Sequence, residues 1–267
     1  MNTPKEPHPA FPSLGQAATI VLILYFFEYV AFGALHDFLD LRGDDLQGAA
    51  GIAVLLANAA LLTLILHHKQ LSYARLFHDA PVSAAATLGL LIVPIALLVP
   101  ALVLANLAVN TLLISLEAPN EYQQQMFERM MSIDVMSLLY VCVLAPFLEE
   151  MLFRGVILRS FLVQYPKGRA IAASAILFGI AHLNAYQFVV GVTIGLVLGW
   201  LYERTRSLWP CIALHALYNA ASVALTVMYA NNAGKFGSDI SIFAWMGAFA
   251  LALVGALGLK RLVGERL

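Results

Sequence analysis

The chain has 267 residues, of which 61% are hydrophobic and only 12% are charged. Soluble domains carry about a quarter charged residues, so this composition excludes an ordinary soluble protein and indicates helices that cross a bilayer. The net charge of −1, without a basic patch interleaved with aromatic residues, argues against a nucleic-acid-binding protein.

The chain begins with a polar, proline-rich segment, residues 1–13. This segment lacks the charged start, the short apolar core and the small-residue cleavage site of a signal peptide. We therefore expect a cytoplasmic N-terminal tail, followed by a first span that is retained as an anchor.

Eight apolar runs follow, and a spanning helix needs about 20 such residues. They lie near residues 15–35, 48–66, 84–113, 135–163, 169–183, 186–202, 208–230 and 240–259. The third run is longer than one span requires, and Pro94 and Pro100 could kink it. We predict an all-α fold, a polytopic transmembrane helical bundle of about eight spans in a single domain, residues 14–267. Six spans would result if two of the runs were re-entrant.

Basic residues mark the cytoplasmic side of a membrane protein, and an even number of spans places both termini on one side. If that side is cytoplasmic, only Arg42, Arg129 and Lys235 of the 15 basic residues lie outside. We therefore predict an integral, multi-pass protein of a bacterial inner or plasma membrane, with both termini in the cytoplasm.

Six ionisable residues fall inside the predicted spans, where such a side chain costs several kcal/mol and needs a partner or a purpose. They are Glu28, Glu149, Glu150, Arg154, His182 and His215. All except Glu28 fall within 67 residues of one another along the chain. This clustering indicates a shared polar cavity.

Helix geometry divides the acidic residues of the fourth run. Glu150 and Arg154 are four residues apart and can pair on one helix face, whereas Glu149 points about 100° away from Glu150. We predict that Arg154 holds Glu150 in a structural pair and that Glu149 faces the cavity.

The same four-residue spacing recurs at Phe178 and His182 and at His215 and Asn219. The Phe178 ring can pack beneath the His182 imidazole, while His215 and Asn219 present two hydrogen-bonding groups side by side. A lone histidine in a membrane helix is often only a hydrogen bond between helices. Two histidines with an amide and a spare carboxylate indicate a functional site.

These groups suffice for amide hydrolysis without a covalent nucleophile. Glu149 can act as a general base for water and a histidine can relay the proton, while the other histidine and the amide donate hydrogen bonds to an oxyanion. Ser160 and Ser174 lie outside the clusters, and the chain has no G-x-S-x-G motif. Alternatively, Glu149, His182 and His215 could bind zinc and leave one position for water, although the chain has no H-E-x-x-H motif.

Smaller residues carry two further predictions. Gly191, Gly195 and Gly199 recur every four residues and predict close helix packing beside the site. Cys142 and Cys211 have neither a metal-ligand spacing nor a secreted disulfide pattern, so we expect them to be small buried hydrophobes.

These residues resemble the three motifs of the CAAX-protease and bacteriocin-processing family of intramembrane peptidases, also called the abortive-infection family. The motifs E-E-x-x-x-R, F-x-x-x-H and H-x-x-x-N/D appear in order as Glu149, Glu150 and Arg154, as Phe178 and His182, and as His215 and Asn219. The resemblance is close over residues 135–230, the predicted catalytic core. The first 134 residues match only in being hydrophobic.

The resemblance implies hydrolysis of a peptide bond in or near the membrane. By carry-over from the family, Glu149 and His182 would activate water, and His215 and Asn219 would form the oxyanion hole. Members have been described both as metalloproteases and as metal-free glutamate proteases, and we favour the metal-free mechanism without a cofactor. Glu28 belongs to none of the motifs, so we expect it to have a packing or lipid-interface role.

Two other functions stay open. One is a non-proteolytic membrane immunity or scaffold protein on the same fold, and the other is a small-solute transporter that uses the buried charges as a proton relay. Transporters commonly show internal repeats, and the two halves of this sequence show no similarity. The expected partners are the lipid bilayer and a protein or peptide substrate.

Overall fold

The computed structural model describes residues 10–39, 45–116, 121, 135–231 and 240–264, with the backbone alone at 45–47 and 229–231. These residues form helices and contain no β-strand, which confirms the predicted all-α class. In lipid, helices satisfy their backbone hydrogen bonds internally. The helices are α1 (Leu14–Leu39), α2 (Asp45–Lys69), α3 (Tyr73–Phe77), α4 (Ala84–Leu116), α5 (Val135–Gln164), α6 (Lys167–Ile180), α7 (Ala185–Thr205), α8 (Leu208–Asn231) and α9 (Ile242–Val263).

Seven of the described helices are long and apolar enough to cross a membrane, namely α1, α2, α4, α5, α7, α8 and α9. The predicted fifth span corresponds to α6, which has only 14 residues. Its length is about 21 Å, short of the roughly 30 Å hydrocarbon core, so α6 is not among these seven helices. The chain is an integral, multi-pass membrane protein.

Helices α6 and α7 form a tightly packed antiparallel hairpin. A Cβ atom added to Gly191 would lie 3.0 Å from the Cα of Gly179, and one added to Gly195 would lie 3.0 Å from the Cα of Ala175. Residue numbers rise along α7 as they fall along α6, so the hairpin returns to the side from which it started. The close packing predicted from the glycine spacing is confirmed.

Helix α5 is continuous but not uniformly α-helical. It contains two π-helical stretches, Tyr140–Leu144 and Met151–Leu158. Between them lies a short α-helical turn, Ala145–Glu150, that carries both adjacent glutamates. Such π-helical stretches frequently occur at functional sites, and here they flank the predicted motif on both sides.

The surface of the bundle is apolar and its interior contains charge. Phe26 of α1 and Phe249 of α9 are 62% and 70% exposed, as expected for side chains that contact lipid. Glu150 and Arg154 are fully buried. Helix α4 continues through both Pro94 and Pro100, so neither proline ends it.

Basic residues gather at one end of the bundle, which we call the basic end and define by Lys69, Arg159, Lys167, Arg204 and Arg206. Arg159 pairs with Asp79 and donates to the carbonyl of Arg75, while Lys167 pairs with Glu203. Both ends of the described chain lie there: the Pro12 carbonyl accepts from Ser160 Oγ, and the Gly264 carbonyl accepts from Arg204 Nη1. The described termini therefore share one side of the bundle.

Some predictions concern segments that the structure leaves out. Residues 1–9 of the predicted tail lie outside the described residues, as do Arg42, Arg129 and Lys235, the three basic residues predicted to face away from the cytoplasm.

Candidate active site

The buried centre of the site is the Glu150 carboxylate on α5. Its Oε1 lies 2.9 Å from Arg154 Nη1, and the pair has no exposed side-chain surface. The ion pair predicted from the four-residue spacing is therefore present. Arg154 is held from two further directions, because Nη2 donates to the Gly195 carbonyl at 3.4 Å and the guanidinium lies 4.5 Å above the Phe178 ring.

His215 of α8 joins the two neighbouring glutamates. Its Nδ1 lies 2.9 Å from Oε1 of Glu150, and its Nε2 lies 3.8 Å from Oε2 of Glu149. The two carboxylates point in different directions from adjacent positions, as helix geometry requires. Glu150 therefore contacts both Arg154 and His215, whereas the sequence predicts only the structural pair with Arg154.

His182 lies in the turn after α6, whereas the sequence predicts it inside the fifth span. Helix α6 ends at Ile180, and Asn184 caps the start of α7 by accepting from the amides of Tyr186 and Gln187. The turn between them leaves too few residues to continue either helix. The His182 Nδ1 lies 2.8 Å from the Phe178 carbonyl, and the two rings meet edge to face at 4.9 Å.

Asn219 occupies a different position from the other predicted site residues. Its Nδ2 donates to the carbonyl of Val141 at 2.8 Å. This bond ties α8 to the first π-helical stretch of α5, one turn of α8 away from His215.

A cavity of about 170 Å³ lies between the α1–α2 hairpin and the helices that carry the motifs. Glu149 and His182 both line it, and the Glu149 side chain is 32% exposed. His215 and Asn219 are not among the residues that line it. The polar and aromatic lining consists of Tyr25, Glu28, Asn58, Tyr140, Glu149, Phe153, Phe178 and His182.

Glu28, which belongs to none of the motifs, lines the same cavity as Glu149 and lies 3.5 Å from Asn58 Nδ2. The packing or lipid-interface role expected for it stays a prediction. An ionisable residue at membrane depth was the available signal. The motif spacing could not use it, because α1 lies over 100 residues earlier in the chain.

The other candidate side chains have structural partners. Ser160 donates to the Pro12 carbonyl and Ser174 donates to the Phe153 carbonyl. Cys142 and Cys211 are free thiols, the second fully buried. Within the part of the chain that the structure describes, no three His, Cys, Asp or Glu side chains are grouped closely enough to hold a metal ion.

Comparison with known proteins places the similarity on these same helices. Residues 131–221 match the family profile described as "Type II CAAX prenyl endopeptidase Rce1-like". A protein of Bacillus subtilis (strain 168), named "Putative membrane peptidase YdiL", is 28% identical over 83 residues, which are 31% of this chain and 34% of that protein. The match thus spans about a third of the relative's length. No solved structure matches the chain.

The family profile covers α5 through the middle of α8, the segment that supplies Glu149, Glu150, Arg154, His182 and His215. The helical membrane bundle and the order of the three motifs agree with this match. Over residues 131–221, the chain is therefore similar to the type II CAAX prenyl endopeptidases and to a membrane peptidase, in agreement with the resemblance seen in its motifs.

Proposed function

We propose that this protein is an intramembrane endopeptidase that hydrolyses a peptide bond of a membrane-associated or lipidated protein or peptide. The observation that carries the proposal is the contrast between two adjacent carboxylates. Glu150 is fully buried and paired, whereas Glu149 is partly exposed and lines a cavity together with His182. One carboxylate is structural, and the other is free for chemistry.

Glu149 is the proposed general base. It takes a proton from a water molecule while the water oxygen attacks the carbonyl carbon of the substrate, a role that typically contributes 10²–10⁴-fold to the rate. His182 supports this step. Because a carbonyl only accepts hydrogen bonds, the Nδ1 beside the Phe178 carbonyl carries the hydrogen, and the neutral ring keeps its lone pair on Nε2 to orient the water.

His215 and Asn219 are the proposed donors to the oxyanion. Both ring nitrogens of His215 lie near carboxylates, and a ring nitrogen that carries a hydrogen can donate it to the oxyanion. Asn219 uses one amide hydrogen for the Val141 carbonyl and keeps a second one. Two such hydrogen-bond donors form an oxyanion hole, which stabilises a tetrahedral intermediate.

The proposed mechanism needs no metal ion, because Glu149 activates water directly. The alternative is zinc held by Glu149, His182 and His215. Treatment of the purified enzyme with a strong chelator separates the two: we expect activity to persist, and its loss with rescue by zinc would establish the metalloprotease.

The test of the proposed function is Glu149→Gln, which removes the base and keeps the shape. We expect cleavage of a farnesylated CAAX peptide, the substrate type in the name of the matched family, to fall at least 10²-fold while the variant stays folded in membranes. The matched control is Glu203→Gln, because Glu203 is also a buried carboxylate but pairs with Lys167 and Arg204 at the basic end. It should remain active.

A second measurement covers the case of a different substrate. The membrane and secreted peptides of cells that carry the wild-type protein are compared with those of cells that carry Glu149→Gln. A peptide that disappears with the carboxylate identifies the substrate. Identical peptide profiles, with the biological function intact, would favour the immunity or scaffold protein instead.

A further inference from the structure

The α1–α2 hairpin supplies a carboxyl group to the wall of the cavity that faces the motif helices. Glu28 of α1 and Asn58 of α2 line the cavity on this side, and Glu149 and His182 line it on the other. A sphere of 170 Å³ is about 7 Å across, room for a few water molecules or one peptide group. A substrate amide in this space would contact both walls.

Asn58 fixes the direction of the Glu28 side chain. Its Nδ2 donates to the Val54 carbonyl one turn earlier at 2.9 Å and lies 3.5 Å from Glu28 Oε1. Both amide hydrogens of Asn58 are thereby engaged on the α1–α2 side. The second oxygen of Glu28 has no hydrogen-bond partner among the described residues, so it is free to meet a ligand in the cavity.

Among the described residues, the lining of the cavity beside Glu28 contains a second acid and no lysine or arginine. The titratable groups that share the cavity with it are Tyr25, Tyr140, Glu149 and His182. Arg154 is fully buried and already paired with Glu150. Two carboxyl groups that line one cavity without a counter-ion repel each other when both are charged, and this repulsion is relieved when one of them keeps a proton.

The two motif residues that line the cavity act on the water and not on the leaving group. Glu149 acts as the base, and His182 directs its Nδ1–H to the Phe178 carbonyl and uses Nε2 to orient the water. An amide nitrogen must gain a proton before it can leave as an amine. A proton donor on the opposite wall satisfies this requirement directly.

We propose that Glu28 is a further catalytic residue, which donates its proton to the departing amide nitrogen across the cavity from Glu149. This role rests on the proposed function. The water oxygen bonds to the carbonyl carbon as Glu149 takes one water proton. The C–N bond then breaks as the Glu28 carboxyl protonates the nitrogen, which releases a carboxylic acid and an amine. The proton on Glu149 passes to Glu28 through a water molecule, and both groups return to their starting states.

The experiment compares two leaving groups. The full-length protein in lipid vesicles is given a farnesylated CAAX peptide and its analogue with a thioester in place of the scissile amide, since a thiolate leaves without being protonated. We expect Glu28→Gln to lower kcat for the amide about 10²-fold or more, to change kcat for the thioester less than about tenfold, and to leave KM unchanged. Glu149→Gln should lose activity on both substrates, because both need activated water.

Each outcome decides one proposal. Equal loss on both substrates in Glu28→Gln, or full activity on both, overturns the role of Glu28 and leaves the protease intact. Full activity of Glu149→Gln overturns the proposed base instead.

A spectroscopic measurement does not depend on turnover. The infrared spectrum of the wild-type protein should contain the carbonyl-stretch band of a protonated carboxyl group that is absent from Glu28→Gln. Asn58→Ala should shift this band, because it removes the amide beside Glu28. If neither peptide is cleaved, the band decides: a spectrum unchanged by Glu28→Gln refutes the protonated donor.

Discussion

At the scale of single residues, the site depends on two identical side chains in different surroundings. Glu149 and Glu150 are neighbours in the sequence, yet one side chain is 32% exposed and the other is fully buried. A buried carboxylate is tolerated only with partners, and Glu150 has both Arg154 and His215. Glu149 lies 3.8 Å from His215, and its partly exposed side chain is left accessible to water.

Glu150 pairs with the buried Arg154, which stabilises the fold, and it also orients His215. A pair of variants separates these two roles. Glu150→Leu leaves the Arg154 charge buried without its partner and should cost about 3–5 kcal/mol of stability. Glu150→Leu with Arg154→Leu removes both charges and should recover most of this loss. Cleavage should stay low in both variants, because His215 has lost the acceptor for its Nδ1.

Resistance to unfolding by SDS and the rate of peptide cleavage measure the two effects. A double variant that is stable and fully active would show that Glu150 is only the partner of Arg154 and does not orient His215.

Residue spacing predicted the contacts that a helix makes with itself. The pairs Glu150 and Arg154, and Phe178 and His182, follow from four-residue spacing. Spacing could not predict that His215 would contact Glu150 or that Glu28 would line the same cavity as Glu149, because these arrangements join helices distant in sequence. The catalytic roles of Glu149, His182, His215 and Asn219 stay predictions.

At the scale of elements, the α6–α7 hairpin controls the position of Arg154. Gly195 accepts a hydrogen bond from Arg154, and a Cβ atom there would lie 3.0 Å from the Cα of Ala175. The absence of a side chain at this position lets the two helices approach and brings the carbonyl within reach of the guanidinium.

Gly195→Ala should force α6 and α7 apart by a few tenths of an ångström. We expect it to cost about 1–3 kcal/mol, as other overpacking substitutions do, and to lower cleavage because Arg154 and the turn of His182 both shift. Gly247→Ala in α9 is the matched control, since a Cβ atom there meets nothing within 4 Å, and it should be neutral. Thermal unfolding in detergent and the cleavage rate report the difference. Equal behaviour of the two variants would contradict a role for this contact.

The hydrophobic runs of the sequence predicted how many apolar helices there are, but not how long each helix is or where it becomes π-helical. Seven of the eight runs correspond to helices long enough to span. The run over 169–183 has the composition of a span, but Asn184 starts the next helix and shortens this one to 14 residues. The π-helical stretches of α5 leave no recognisable mark in an apolar sequence.

At the scale of the whole molecule, charge and connectivity support one orientation. The hairpin of α6 and α7 returns to its starting side whether or not it crosses the membrane. The other six long apolar helices are even in number, which agrees with both described termini lying at the basic end. Basic residues accumulate on the cytoplasmic side, and we therefore propose that the basic end faces the cytoplasm.

Cysteine labelling tests this orientation in a chain with Cys142 and Cys211 replaced by alanine. Gly264→Cys at the basic end should react with a membrane-impermeant thiol reagent only in inverted vesicles. Leu116→Cys, 76% exposed at the far end of α4, should react only from the outside of intact cells. The reverse pattern would place the basic end outside, and labelling of both from one side would contradict the bundle.

For the proposed protease, the shortness of α6 would also limit the shape of a substrate. The helix starts at Lys167 at the basic end and reaches the turn of His182 after 14 residues, about 21 Å below the start if it stands along the membrane normal. An extended chain covers 3.3–3.6 Å per residue, so about six residues must thread in extended form between the membrane surface and the scissile bond. A folded domain close to that bond would keep it out of reach. The depth of the site would therefore set the distance between the membrane surface and the bond that is cleaved.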